Sequence, residues 1–141
     1  MLPFQSLHEY ELFLYNLPQR IPAILASTLV LVRRGAQVAI VSGTVSLAAN
    51  YRLVVYELVN TRSGSLRLTS YGYEVWRDDE QLYWYDSQPH PNNPALASTH
   101  PHHKHIPPDI KHNRIPAPGL SFTQPNLSFL LAEIEQSLLK V

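Results

Sequence analysis

The sequence predicts an α+β domain: an antiparallel β-meander of about five strands, an N-terminal helix, a C-terminal helix, and a long Pro/His-rich arm before the last helix. Three observations predict it. Apolar residues recur at helical spacing near both ends of the chain, while residues 24–86 contain no proline and are rich in β-branched and aromatic side chains punctuated by turn signals. The composition then changes: nine of the 12 prolines and six of the 7 histidines lie between Ser87 and Pro125. At 141 residues the chain is expected to form one domain spanning 1–141, with a core that buries about 68% of the surface its unfolded form exposes.

The first helix starts at Ser6-Leu7-His8-Glu9, a capping-box pattern in which Ser6 accepts from the Glu9 backbone N–H. Leu7, Tyr10, Leu14 and Leu17 form its apolar stripe, and Pro18 and then Pro22 are expected to stop it. Turn signals at Arg34-Gly35, Ala49-Asn50, Ser63-Gly64 and Asp78-Asp79 divide the next region into strands near Leu25–Val32, Gln37–Leu47, Tyr51–Asn60, Leu66–Trp76 and Gln81–Asp86. The connections are too short for parallel crossovers, so the strands pair antiparallel. Gly43 separates Val38 and Ile40 from Val45 and Leu47, an apparent change of parity that predicts a β-bulge.

The arm from 87 to 125 shows little apolar periodicity, and a connection of that length in a compact domain is more often functional than idle. A final helix follows, with Asn126 as its expected N-cap and Leu127, Leu130, Leu131, Ile134 and Leu138 on one face.

Charge and composition exclude several function classes. Lys plus Arg and Asp plus Glu are each 11, so no global field draws the protein to nucleic acid or membrane, and polyanion binding has to be local. With no cysteine there is no disulfide framework, thiolate metal site or thiol nucleophile. No leader pattern and no long apolar run is present, and a cytoplasmic location is expected. There is no internal repeat and no glycine-rich phosphate loop.

Chemistry concentrates in Thr99–His112, which holds five histidines. In an extended chain His103 and His105 point to one side while His102 and Lys104 point to the other, so the first two converge as a bidentate clamp. A divalent metal there requires a third ligand, for which His90, Asp86 and Asp109 are the candidates. The other chemical option is metal-free RNA cleavage, because two imidazoles titrating near neutral pH can take a proton from a 2′-hydroxyl and return one to the leaving oxygen. Lys104, Lys111 and Arg114 lie in the arm between Ser87 and Pro125, where Asp109 is the sole acid, and they supply a local positive excess for phosphate. Nearby Tyr71, Tyr73, Trp76, Tyr83, Trp84 and Tyr85 are either base-stacking platforms or, more ordinarily, core ladders. A partner-binding arm in polyproline conformation, without chemistry, accounts for the same composition.

The run YGYEVWRDDEQLYWYDSQPHP from Tyr71, followed by THPHHKH, resembles the TumE family of bacterial toxin–antitoxin proteins. The resemblance rests on Tyr71, Tyr73, Tyr85, Asp86, Pro89, His90, and the block Pro101, His102, His103, Lys104, His105; Pro91 stands where the family often has a second histidine. It implies a toxin partnered by a small helix-turn-helix antitoxin encoded next to it, and by analogy an RNA substrate. On this basis the expected catalytic residues are His103 and His105 as an acid/base pair, His90 as a third candidate, Lys104 on the phosphate and Asp86 orienting an imidazole. Tyr85, His102, Lys111 and Arg114 are the expected substrate contacts. No cofactor is expected, with a divalent metal at the histidine cluster as the alternative; assembly with further copies of the chain is left open, and no membrane partner is expected.

Overall fold

The computed structural model describes residues 4–87 and 102–139. Helix α1 (Leu7–Arg20) is capped by Ser6, whose Oγ accepts from Glu9 N at 3.1 Å. It does not stop at Pro18 as expected. Proline in the last turn forfeits only the bond to the Leu14 carbonyl, and Ile21 N still closes on Leu17 O at 3.0 Å. Leu7, Tyr10, Phe13, Leu14 and Leu17 are its buried face.

Eight strands form one antiparallel sheet, more than the five expected. They are β1 (Ile24–Ser27), β2 (Val30–Arg33), β3 (Val38–Leu47), β4 (Tyr51–Asn60), β5 (Arg67–Arg77), β6 (Glu80–Asp86), β7 (His103–His105) and β8 (Arg114–Pro116). The order is β1-β3-β4-β5-β6-β7-β8, with β2 beside β1 on the same edge of β3. The arm therefore contributes two strands of the sheet. Each is three residues long, too short for an alternation to register in the sequence.

The bulge expected at Gly43 is absent, because β3 pairs with β4 in unbroken register from Val38↔Asn60 to Ser46↔Arg52. The buried residues of β3 are Ala39, Val41, Val45 and Leu47, all of one parity, while Val38 and Ile40 lie on the other face. Gly43 belongs to the buried series and has φ +142°. The edge strand is interrupted opposite it, between β1 and β2, and a Cβ at Gly43 would lie 2.6 Å from Thr28 O. Glycine is thus required for the close approach of the edge-strand backbone.

Helix α2 (Leu127–Ile134) continues as a π-helical turn over Glu135–Leu139. Asn126 does not cap it: its backbone is helical and its side chain instead accepts from Ser121 N at 2.9 Å and donates to Ser121 O at 3.0 Å, closing the preceding loop. Leu127, Leu130, Leu131 and Ile134 are fully buried, each contributing roughly 1.5–3 kcal/mol by leaving water. Both helices cover the same face of the sheet, since α1 reaches Glu57 of β4 through Tyr10 while Asn126, just before α2, bonds Tyr73 of β5. The core lies between that face and the helices, where Leu53, Val55, Tyr73, Val75 and Tyr85 point. The opposite face carries no helix among the described residues. No described helix is long and apolar enough to cross a membrane.

Candidate functional site

The pairing register sorts the arm's side chains between the two faces. Asp86 pairs with His103, Trp84 with His105, and Tyr85 with Lys104, and side chains of paired residues share a face. Asp86, Trp84, His103 and His105 therefore stand on the helix-free face, and Tyr85 and Lys104 on the helix-covered one. The sequence-derived convergence of His103 and His105 is present, with ring centroids 4.9 Å apart.

Of the three candidates for a third member, it is Asp86 that joins them. One carboxylate oxygen is in ion-pair contact with His103 Nε2, and the other lies 3.5 Å from His105 Nε2. All three donor atoms fall within 4.8 Å of one another. Both histidines are buried, whereas the Asp86 side chain keeps 18% of its surface exposed and is the cluster's route to solvent. Asp109 stays apart, paired with His112 at 3.0 Å on the exposed turn between β7 and β8. His90 and His100 lie outside the described residues.

A second layer orients His105. Its Nδ1 lies 2.9 Å from Ile110 O, and Trp84 Nε1 donates to the same carbonyl at 3.3 Å with its ring 4.2 Å from the imidazole. A carbonyl only accepts, so Nδ1 carries a proton, and in the neutral ring the Nε2 lone pair faces Asp86. Burial holds the His105 pKa below the ordinary imidazole value; His103 and Arg114 push the same way, against Asp86 and the Ile110 carbonyl. Arg114 pairs with His105 across β7 and β8 and so shares the cluster's face, and its Nε is buried without a hydrogen-bond partner. Gly72 pairs with Asp86 on the other flank, and a Cβ there would meet nothing within 4 Å. Tyr56, 44% exposed, follows beyond Gly72. Among the described residues, a strip of sheet without a covering side chain at Gly72 thus runs up to the carboxylate.

The remaining expected site residues are elsewhere. Lys104 Nζ sits 4.1 Å from the Tyr83 ring centroid and 3.5 Å from Glu133 of α2, so it is a structural cation on the helix side, away from the imidazoles. Tyr85 is buried and donates to Glu133 at 2.8 Å; burial and then Glu133 raise its pKa. His102 lies between Tyr71 and Phe122, its Nδ1 bonded to the Tyr71 hydroxyl. Lys111 is exposed on the turn. Of the aromatics weighed as base platforms, Tyr71, Tyr73 and Tyr85 are core residues.

Two features escaped sequence reasoning. Glu57 is fully buried in the helix-side core, accepting from Tyr10 and Tyr73, and burial raises its pKa. Its signal was available, since it occupies the same parity as Tyr51, Leu53, Val55 and Val59. Glu133, which fixes Lys104 and Tyr85, had no such signal because its partners are distant in the chain.

A family model described as Toxin TumE matches residues 14–138, a span that contains the cluster and both strands that carry it. No curated protein and no solved structure matches the chain.

Proposed function

The chain belongs to the TumE toxin family, and from that premise we propose that it is the toxin of a toxin–antitoxin pair and that it cleaves RNA at Asp86, His103 and His105. The observation that supports this reading is the convergence of one carboxylate and two imidazole Nε2 atoms on the face of the sheet that carries no helix among the described residues. Phosphodiester cleavage requires an acceptor for the proton of the attacking hydroxyl and a source of a proton for the leaving oxygen, and imidazoles are suited to both near neutral pH. His105 has committed its Nδ1 proton to Ile110 and offers Nε2 as the acceptor. Asp86 fixes the His103 ring through its Nε2. The cation assigned to phosphate is Arg114, which shares the cluster's face, in place of Lys104, which is paired with Glu133 on the helix side.

The substrate approaches along the strip over Gly72. Tyr56 and the half-buried Trp84 border it, and a base stacked on such a ring contributes roughly 1–3 kcal/mol. The expected partner is an antitoxin, and the form the sequence resemblance implies is a small helix-turn-helix protein encoded beside the toxin. With no net charge to draw RNA over long distances, affinity is set locally by Arg114 and the aromatic rims.

The test is purified toxin, free of antitoxin, incubated with a mixed RNA substrate. Cleavage by the wild-type protein that disappears in His105→Asn and Asp86→Asn supports the reading. A stable, folded protein that arrests growth but never cuts RNA contradicts it and favours action by partner binding.

A further inference from the structure

We propose that Asp86, His103 and His105 form a binding site for one divalent transition-metal ion, with zinc the best match to the donors. The inference deepens the reading of this cluster as the site of RNA cleavage and rests on it for its catalytic meaning, though not for the binding itself.

The first ground is the orphaned lone pair of His105. Its Nε2 is buried and has no hydrogen-bond partner, although a carboxylate oxygen lies 3.5 Å away. With the ring's proton on Nδ1, held by the Ile110 carbonyl, the buried Nε2 lone pair faces a carboxylate oxygen rather than a donor. Burial of that pair is unfavourable until a positive charge enters. A metal ion resolves it, because it takes the imidazole lone pair and the carboxylate at once.

The second ground is geometry. Bonds of about 2.0–2.1 Å to a tetrahedral ion place neighbouring ligand atoms roughly 3.4 Å apart. The separation of 3.5 Å between His105 Nε2 and Asp86 Oδ2 is already that edge. All three donors lie within 4.8 Å of one another, so a small displacement of the His103 ring from its direct contact with Asp86 completes the set.

The third ground is the support behind the ligands. Metal-bound histidines characteristically donate their remaining N–H to a backbone carbonyl or carboxylate, which fixes the tautomer and aims the lone pair. His105 does this through Ile110 O, and Trp84 holds the same carbonyl. Two imidazoles and one carboxylate are the donor set of a zinc ion that keeps a position open for water or substrate. The partial exposure of Asp86 is where that position meets the strip over Gly72.

His103 and His105 turn toward the same carboxylate, as ligands of one centre do. With an ion bound, His105 Nε2 is a ligand, and activation of the attacking hydroxyl passes from the imidazole to the ion. A 2′-hydroxyl on the ion gives up its proton to solvent water more readily; its oxygen bonds to phosphorus as the bond to the 5′-oxygen breaks, that oxygen takes a proton from water, and the ion offsets charge on the phosphoryl oxygens.

The experiment uses full-length protein made without a histidine tag, stripped with a chelator and titrated with Zn²⁺ against an indicator dye, with Co²⁺ absorption reporting ligand geometry. One equivalent is expected to bind, with affinity reduced at least tenfold in His105→Asn and Asp86→Asn. His105→Asn keeps a donor for Ile110 while deleting Nε2, and its urea midpoint is measured alongside. The control His112→Ala removes an exposed imidazole elsewhere and is expected to bind as wild type. Absence of binding, or one-equivalent binding unchanged in both His105→Asn and Asp86→Asn, overturns the proposal. RNA cleavage by metal-free, chelator-treated protein at the untreated rate also overturns the catalytic role of the ion while leaving the ribonuclease reading intact. Stoichiometric binding at the cluster without any RNA cleavage supports the site and contradicts the ribonuclease reading.

Discussion

Replacing Tyr10 by phenylalanine removes one hydroxyl from a fully buried carboxylate. Tyr10 Oη donates to Glu57 Oε1 at 2.5 Å, within the range of a hydrogen bond to an ionised oxygen, and both residues have no exposed surface. Such a bond contributes about 1.5–3 kcal/mol, and no water can replace the lost donor at that depth. Tyr10→Phe is therefore expected to lose about 1.5–3 kcal/mol at pH 8, read as a lower urea midpoint with unchanged slope. The contrast is Tyr15→Phe, whose hydroxyl reaches Glu11 at 3.2 Å on the exposed side of the same helix and whose loss is expected to cost under about 0.5 kcal/mol. The same carboxylate sets a pH dependence. Burial raises the Glu57 pKa above its ordinary 4.5, against the lowering effect of the two tyrosine bonds. A raised folded-state value means that Glu57's contribution is complete below 4.5 and is lost as pH rises through the folded pKa. Relative to Glu57→Gln, which does not titrate, the wild type should thus lose stability with rising pH, by about 1.4 kcal/mol for each unit of the shift. A Tyr10→Phe protein as stable as wild type at pH 8, or a difference from Glu57→Gln that does not change with pH, refutes this reasoning.

Other substitutions separate scaffold from site. Gly43→Ala forces a Cβ to within 2.6 Å of Thr28 O at φ +142°, and a loss of at least about 2 kcal/mol in urea unfolding is expected. Gly72→Val adds a Cβ that has nothing within 4 Å and places a β-branched residue in a strand, so stability should stay within about 1 kcal/mol of wild type while RNA cleavage falls at least tenfold as the strip beside Asp86 fills; undiminished cleavage places the substrate elsewhere. Lys104→Ala is expected to leave cleavage within a few-fold of wild type and to lower stability, whereas Arg114→Ala reduces cleavage at least tenfold with the fold retained. The opposite ranking in a single-turnover assay assigns the phosphate contact to the wrong cation.

How far the sequence reached depended on where each signal was local. Helix α1, the paired long strands and the apolar face of α2 were legible because their periodicity runs over many residues, and Ala49-Asn50 and Asp78 do turn the chain with positive φ. Strands β7 and β8 were not, because three residues carry no readable alternation and their pairing is set by β6, far along the chain from Arg114. Alternation within that same short segment nevertheless placed His103 and His105 together, since it needs only extended backbone. The same rule sent Lys104 to the other side, where Tyr83, Tyr85 and Glu133 surround it, neighbours that lie far off in the chain and left no local signal. For Asp86, its place at the end of a strand suggested only a turn cap, and the expectation that it orients an imidazole came after the family resemblance. Its position between both imidazoles required the register with β7, which a single sequence does not encode locally.

That Asp86, His103 and His105 are where the toxin acts is tested most directly by inducing His105→Asn and Lys104→Ala beside the wild type, scoring growth arrest and cleavage of total RNA. His105→Asn, folded to the wild-type urea midpoint, should neither arrest growth nor cut RNA, while Lys104→Ala does both. A His105→Asn protein that arrests growth and cuts RNA at the wild-type rate contradicts the assignment.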